Sequence, residues 1–121
     1  MMPVFDSHLH IINPSFPLVE NHAYLPSTFL VEDYLERVAH LNISSGVVVS
    51  GSFQAFDQTY LIDALERLNA VHNGFVGVTQ IPVTTTDDEI IALNNHGVRA
   101  VRFNLRRGGS ESIRELEGFA R

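Results

Sequence analysis

The feature that most limits what this chain can become is a fourfold recurrence. Short β-branched or aromatic runs begin near residues 4, 46, 75 and 98, and each is followed by a segment with helical spacing. Strands alternating with helices of about ten residues point to βαβ units and a parallel sheet. Val4 to Asp6, running on towards His10, opens the series. Val31, Tyr34, Leu35, Val38 and Leu41 then recur at three- and four-residue steps, the period of one helix face. Gly46-Val47-Val48-Val49-Ser50 is continuously rather than alternately apolar, as suits a strand buried on both faces. Leu61, Ile62, Leu65, Leu68 and Val71 form the next stripe, with Asp57 placed to cap it. Phe75 to Gln80 reads as the third strand. Thr86 and Glu89 have the spacing of a capping box at the start of a short helix. Gly97 sits where a helix-ending glycine belongs, ahead of a fourth strand from Val98 to Leu105. Ser112 and Glu115 offer another capping box, where a fourth helix begins.

The order β-α-β-α-β-α-β-α fits two α/β architectures: a small doubly wound sheet, or the N-terminal half of a (β/α)8 TIM barrel. In both, chemistry gathers at the C-terminal ends of strands and in the loops after them. The 121 residues are 45% hydrophobic and 18% charged, a globular profile rather than a disordered one, and long enough to bury a core. The absence of Cys removes disulfides, thiolate metal sites and Cys nucleophiles. A formal net charge of -6 argues against a nucleic-acid partner. No apolar run approaches the roughly 20 residues of a membrane span, so no membrane partner is expected. Met1 to Asp6 lacks the basic and apolar regions of a signal peptide, and a cytoplasmic location is the expectation. No Gly-x-Gly-x-x-Gly follows the first strand and no Walker A motif occurs, which weakens nucleotide-binding readings.

The sharpest local signal is Asp6-Ser7-His8-Leu9-His10, at the end of the first strand. Side chains two apart on a strand share a face, so His8 and His10 present two imidazoles together, the donors favoured by zinc and similar divalent ions. On the same periodicity Asp6 shares their face and can orient a ligand. In the fourth strand Arg102 and Asn104 fall on the side of Ala100 and Val98, with Val101, Phe103 and Leu105 opposite. An inward arginine needs an anion, which a carboxylate or phosphate substrate, or an acidic neighbour, supplies. The loop Ser50-Gly51-Ser52-Phe53-Gln54 either holds a ligand oxygen or simply ends a strand. His22 and Tyr24 lie in the first long loop and can line a site or merely pack. His40, His72 and His96 fall late in helices, where a surface imidazole near the negative helix end is the expected role. Arg106 and Arg107 are read as solvated.

These residues resemble a known group. Asp6-Ser7-His8-Leu9-His10 is similar to the opening motif of the amidohydrolase superfamily of (β/α)8 enzymes. Val48 to Ser52, Tyr60 to Leu65 and Gly97 to Leu105 resemble its amidohydrolase-related branch, with 2-pyrone-4,6-dicarboxylate lactonase and sugar-lactone relatives the nearest likeness. The resemblance implies a hydrolase of lactone or carboxylate-bearing substrates, in which water attacks the carbonyl. It gives His8 and His10 to a metal site with zinc as the first choice, Ser52 to substrate contact, and Arg102 to a substrate carboxylate. In the lactonase branch hydrolysis can proceed without bound metal, so metal-assisted and metal-free chemistry both stay open. A second family arginine would fall on Gly108, beside Arg107, which departs from the dicarboxylate pattern. The family completes its site with histidines after the fifth and sixth strands and an aspartate after the eighth. Residues 1–121 are therefore expected to form a partial barrel domain, inactive alone. Competing expectations are a metal-dependent decarboxylase of the same branch, and a silent folding unit that forms a homo-oligomer through its open sheet edge.

Overall fold

The computed structural model describes residues 2–19, 25–105 and 110–120. Its elements alternate as the sequence pattern requires: β1 (Val4–Leu9), α1 (Val31–Arg37), β2 (Ile43–Val49), α2 (Thr59–Val71), β3 (Phe75–Thr79), α3 (Asp87–Asn95), β4 (Val98–Val101) and a short α4 (Leu116–Phe119). One-turn 3-10 helices precede α2, at Ser52–Gln54, and α4, at Ile113–Glu115. The four strands form one sheet in the order β1-β2-β3-β4, and every pair is parallel. Consecutive parallel neighbours joined by helices give four successive βα units, the arrangement of the N-terminal half of a (β/α)8 barrel. The doubly wound alternative would reverse the strand order at a switch point, and no reversal occurs.

The helices cover one face of this sheet. Leu61, Leu65 and Leu68 of α2 are almost wholly inaccessible and meet Val48, Phe75, Leu9 and Val98 from the strands, with Val31 and Tyr34 from α1. On the other face Val47, Val76 and Val78 are only half-buried and Phe5 is exposed. We call these the covered and open faces.

Several element ends differ from the sequence expectation. The first helix stops at Arg37 rather than Leu41, because the chain must turn into β2. Ala39 and Leu41 donate to the carbonyls of Glu36 and Val38 in tight three-residue steps, which end an α-helix. The second strand begins at Ile43, earlier than expected. Asp57 is not the cap of α2; that position is Gln58, and the Asp57 carboxylate instead accepts from the Thr59 hydroxyl at 2.8 Å. Thr86 does cap α3, accepting from Glu89 N–H at 3.2 Å. Ser112 bonds Arg114 N–H and opens a 3-10 turn rather than a regular helix. Gly97 follows α3 with φ +95°, a left-handed conformation that a side chain would strain.

The two outer strands each carry an extra residue. In β1, Asp6 pairs with Gly46 but Leu9 with Val48, three steps against two. In β4, Val98 pairs with Gly77 and Ala100 with Val78, two steps against one. Each is a bulge, and each flips the facing of all that follows. Asp6 and Leu9 therefore both face the covered side, and His8 and His10 the open side. Arg102 shares the open face with Ala100 but not with Val98. The simple alternation expected for both strands fails at these two places.

Candidate functional site

His8 and His10 come together at the C-terminal end of β1. Their Nε2 atoms stand 3.2 Å apart, with the rings edge-to-face at a centroid separation of 4.9 Å. His10 Nδ1 lies 2.6 Å from the Val49 carbonyl. A carbonyl only accepts, so Nδ1 carries the proton, His10 Nε2 keeps its lone pair, and His8 Nε2–H donates to it. Phe53 closes the other side of His10 in a T-shaped contact at 6.3 Å. Burial holds the His10 pKa below its usual value; the Val49 carbonyl opposes that shift, and the positive potentials of His8 and Arg102 reinforce it.

Arg102 reaches the same rim from the far side of the sheet. Its backbone N–H donates to the Thr79 carbonyl at 2.8 Å, one rung beyond β4. Its Nη1 then crosses the end of β3 to donate to the Ser50 carbonyl at 2.8 Å. The consecutive carbonyls of Val49 and Ser50 are thus held by His10 from one outer strand and Arg102 from the other. Among the described residues Arg102 makes no ion pair, so the acidic-neighbour alternative finds no support there. A half-buried guanidinium with N–H groups that make no bond among the described residues favours an anionic ligand.

Beneath this rim the loop after β2 is satisfied internally. The Ser50 hydroxyl bonds the Tyr60 hydroxyl at 2.8 Å and donates to Thr79 Oγ1 at 3.3 Å. Gly51 N–H donates to Gln54 Oε1, and Gln54 Nε2 to the Ile11 carbonyl. Burial and the Asp57 charge push the Tyr60 pKa upward against the Ser50 hydrogen bond, so its hydroxyl stays protonated. Ser52 lies in the one-turn helix with 2% exposure, inside the loop rather than on the open surface.

Asp6 does not stand beside the imidazoles. Its Oδ2 accepts from the buried Tyr34 hydroxyl of α1 at 2.9 Å and its Oδ1 from His8 backbone N–H at 3.2 Å. Burial and Asp6 raise the Tyr34 pKa. The sequence reading placed Tyr34 in the core stripe and missed this bond. A tyrosine among Val and Leu at core spacing was the available signal, because a buried hydroxyl needs a partner. His40, His72 and His96 are exposed, and the last two are the C-cap residues of α2 and α3. His22, Tyr24, Arg106, Arg107 and Gly108 lie outside the described residues. An apolar groove of about 470 Å³ runs between α2 and α3, lined by Phe56, Ile62, Ile81 and Leu93 among others; none of His8, His10 or Arg102 lines it.

The imidazole pair fits two positions of a metal site. With metal–nitrogen bonds of about 2.0–2.1 Å, two donors 3.2 Å apart subtend an angle of about 100°, close to tetrahedral. The Val49 bond leaves His10 Nε2 unprotonated, as a ligand must be, whereas His8 Nε2 would have to release the proton it donates to His10 before it could bind a metal. Among the described residues no cluster of three or more His, Cys, Asp or Glu could hold a metal, so His8 and His10 could supply only two positions of such a shell. No helix among them is long and apolar enough to cross a membrane.

Comparison with known proteins places nearly the whole chain among related sequences and folds. The chain is 32% identical over 119 residues to a 4-sulfomuconolactone hydrolase of Rhizobium radiobacter, covering 97% of this chain and 39% of that protein. It is 28% identical over 102 residues to a 2-pyrone-4,6-dicarboxylate hydrolase of Comamonas testosteroni, covering 83% of this chain and 32% of that one. The chain thus spans about two fifths or less of the length of these relatives. Among solved structures, a protein of Acinetobacter baumannii described as a "probable 2-pyrone-4,6-dicarboxylic acid hydrolase", with citric acid bound, superposes with a TM-score of 0.75 at 25% identity. That match covers 86% of this chain and 38% of the other. The family model described as Amidohydrolase matches residues 5–120, and with nearly the whole length matched the chain belongs to the amidohydrolase family.

Proposed function

We propose that these four βα units carry one side of the active site of a hydrolase that opens anionic lactones. Water adds to the lactone carbonyl carbon, the ring C–O bond breaks, and the departing ring oxygen takes a proton, leaving an open-chain acid and a hydroxyl group. The observation that carries the reading is the convergence of His10 and Arg102 on the adjacent carbonyls of Val49 and Ser50. It joins a polarising imidazole pair to an anion-holding guanidinium at one rim. Arg102 fixes the acid group of the substrate, and the carboxylate and sulfonate named in the relatives' substrates are the anions in question. Ser52, close to Phe53, is the further substrate contact, and its burial requires the one-turn helix to shift. A divalent metal, zinc by its affinity for imidazole, would be held by His8 and His10 and would polarise the carbonyl or the attacking water.

The test is ring opening of carboxylate- and sulfonate-bearing lactones by the full-length protein, followed as loss of lactone absorbance. Arg102→Ala is expected to raise KM roughly 10- to 100-fold, the worth of a charge-assisted hydrogen bond, with a smaller effect on kcat. No ring opening of any anionic lactone, or a KM unmoved by Arg102→Ala, would overturn the reading. On the same reading residues 1–121 alone turn over no lactone, because the described residues place no free carboxylate at the rim to accept a proton. Turnover by that piece at the full-length rate would contradict it.

A further inference from the structure

Asp6 precedes the imidazole pair by two residues, yet its carboxylate bonds are to the His8 backbone N–H and the Tyr34 hydroxyl rather than to either ring. Its position follows from the bulge in β1. Were the strand regular, Asp6, His8 and His10 would share one face and Leu9 would take the other. Because Asp6 pairs with Gly46, beside the covered face, that regular strand would drive both imidazoles under the helices and Leu9 into the open. The extra residue between Asp6 and Leu9 reverses this. Leu9 enters the core with 6% exposure, and His8 and His10 emerge on the open face.

Bulges leave a backbone group without a ladder partner. Here the displaced N–H is that of His8, and Asp6 Oδ1 accepts it at 3.2 Å. The second oxygen is anchored at 2.9 Å by the hydroxyl of Tyr34, a residue 3% exposed and packed edge-to-face on Phe75. The carboxylate therefore ties the backbone of one imidazole residue to the rigid helix layer. Gly46 makes the arrangement sterically possible: a Cβ there would stand 2.7 Å from the Asp6 carbonyl and 3.2 Å from the Asp6 Cβ.

We propose that Asp6 is a positioning residue, which locks the β1 bulge through the His8 N–H and Tyr34 and so sets the separation of the two imidazoles. The claim deepens the functional reading above and rests on its use of the imidazole pair. It also separates Asp6 from any role as a proton carrier or metal ligand, since both oxygens are engaged on the covered side.

The experiment compares Asp6→Ala, Asp6→Asn and Tyr34→Phe in the full-length protein by two readouts. The first is zinc affinity, by competition with a chromophoric chelator. Asp6→Ala is expected to weaken it about 10- to 100-fold, the usual effect of removing a group that orients a ligand. Asp6→Asn, whose amide can still accept from His8 N–H and donate to the Tyr34 oxygen, is expected to restore affinity to within about threefold. Tyr34→Phe removes one hydroxyl, is expected to fold, and should weaken binding by about threefold or more. The second readout is the His8 Nε2 to His10 Nε2 distance in zinc-free crystals of each variant. It is expected to open beyond about 4 Å in Asp6→Ala, outside hydrogen-bond range, and to stay closed in Asp6→Asn. Unchanged ring separation in Asp6→Ala overturns the proposal, as does wild-type zinc affinity in both Asp6→Ala and Tyr34→Phe. A wild-type protein that binds no zinc while Asp6→Ala still splays the rings removes the metal from the functional reading and leaves the positioning role intact. If Asp6→Ala does not fold, Tyr34→Phe carries the test: wild-type affinity there overturns the proposal.

Discussion

Ala55 adopts φ 47° and ψ -121° just after the one-turn helix that carries Ser52 and Phe53. Asp57 N–H donates to the Gln54 carbonyl at 2.9 Å, which closes a four-residue turn around it. Those angles belong to the first central position of a type II′ turn, where glycine is the residue without strain. Ala55→Gly is therefore expected to stabilise the protein by about 1 kcal/mol, relief of strain outweighing the greater chain entropy of glycine. A shift of the denaturation midpoint to higher urea at unchanged slope would show it; a lower midpoint would contradict it. At the same scale Tyr60→Phe leaves Ser50 Oγ and Thr79 Oγ1 without the third member of their buried trio. A loss of about 1–3 kcal/mol is expected for a buried polar group so deprived, measurable by urea denaturation.

Among the elements, α2 contributes most to the core through Leu61, Leu65 and Leu68. Leu65→Ala is expected to remove about 2–5 kcal/mol, the range for a leucine truncated in a packed interior; a loss under about 1 kcal/mol would mean the site is less tightly packed than its 1% exposure implies. This helix was legible in the sequence, because its apolar stripe and its flanking strands carry unmistakable periods. So were the four strands, the cap at Thr86 and the left-handed glycine at 97. What periodicity could not show was where it breaks. The bulges in β1 and β4 each add one residue, and no composition signal marks Ser7 or Arg99 as the extra one. Every facing inferred across them was therefore reversed for Asp6 and for Val98, while His8, His10 and Arg102 kept their common face. The hydrogen bonds that hold the site, from Tyr34 and to the carbonyls of Val49 and Ser50, depend on distances between elements and leave no trace in the order of residues.

At the scale of the whole molecule, β1 and β4 are the outermost strands of the sheet, and among the described residues no strand pairs with their outer edges. Val4, Phe5 and Val101 are exposed there. An uncovered apolar edge templates association, so residues 1–121 in isolation are expected to show a mass that rises with concentration in light scattering. A monodisperse monomer at high concentration would contradict this. At the far rim side chains from just beyond these two outer strands reach neighbouring carbonyls, His10 that of Val49 and Arg102 that of Ser50. Two distant parts of the chain thus converge on neighbouring peptide units, and neither can shift without disturbing the other's anchor. For the evolution of the site this means epistasis: the effects of His10→Ala and Arg102→Ala should not add, and a lineage that retunes one must first accommodate the other.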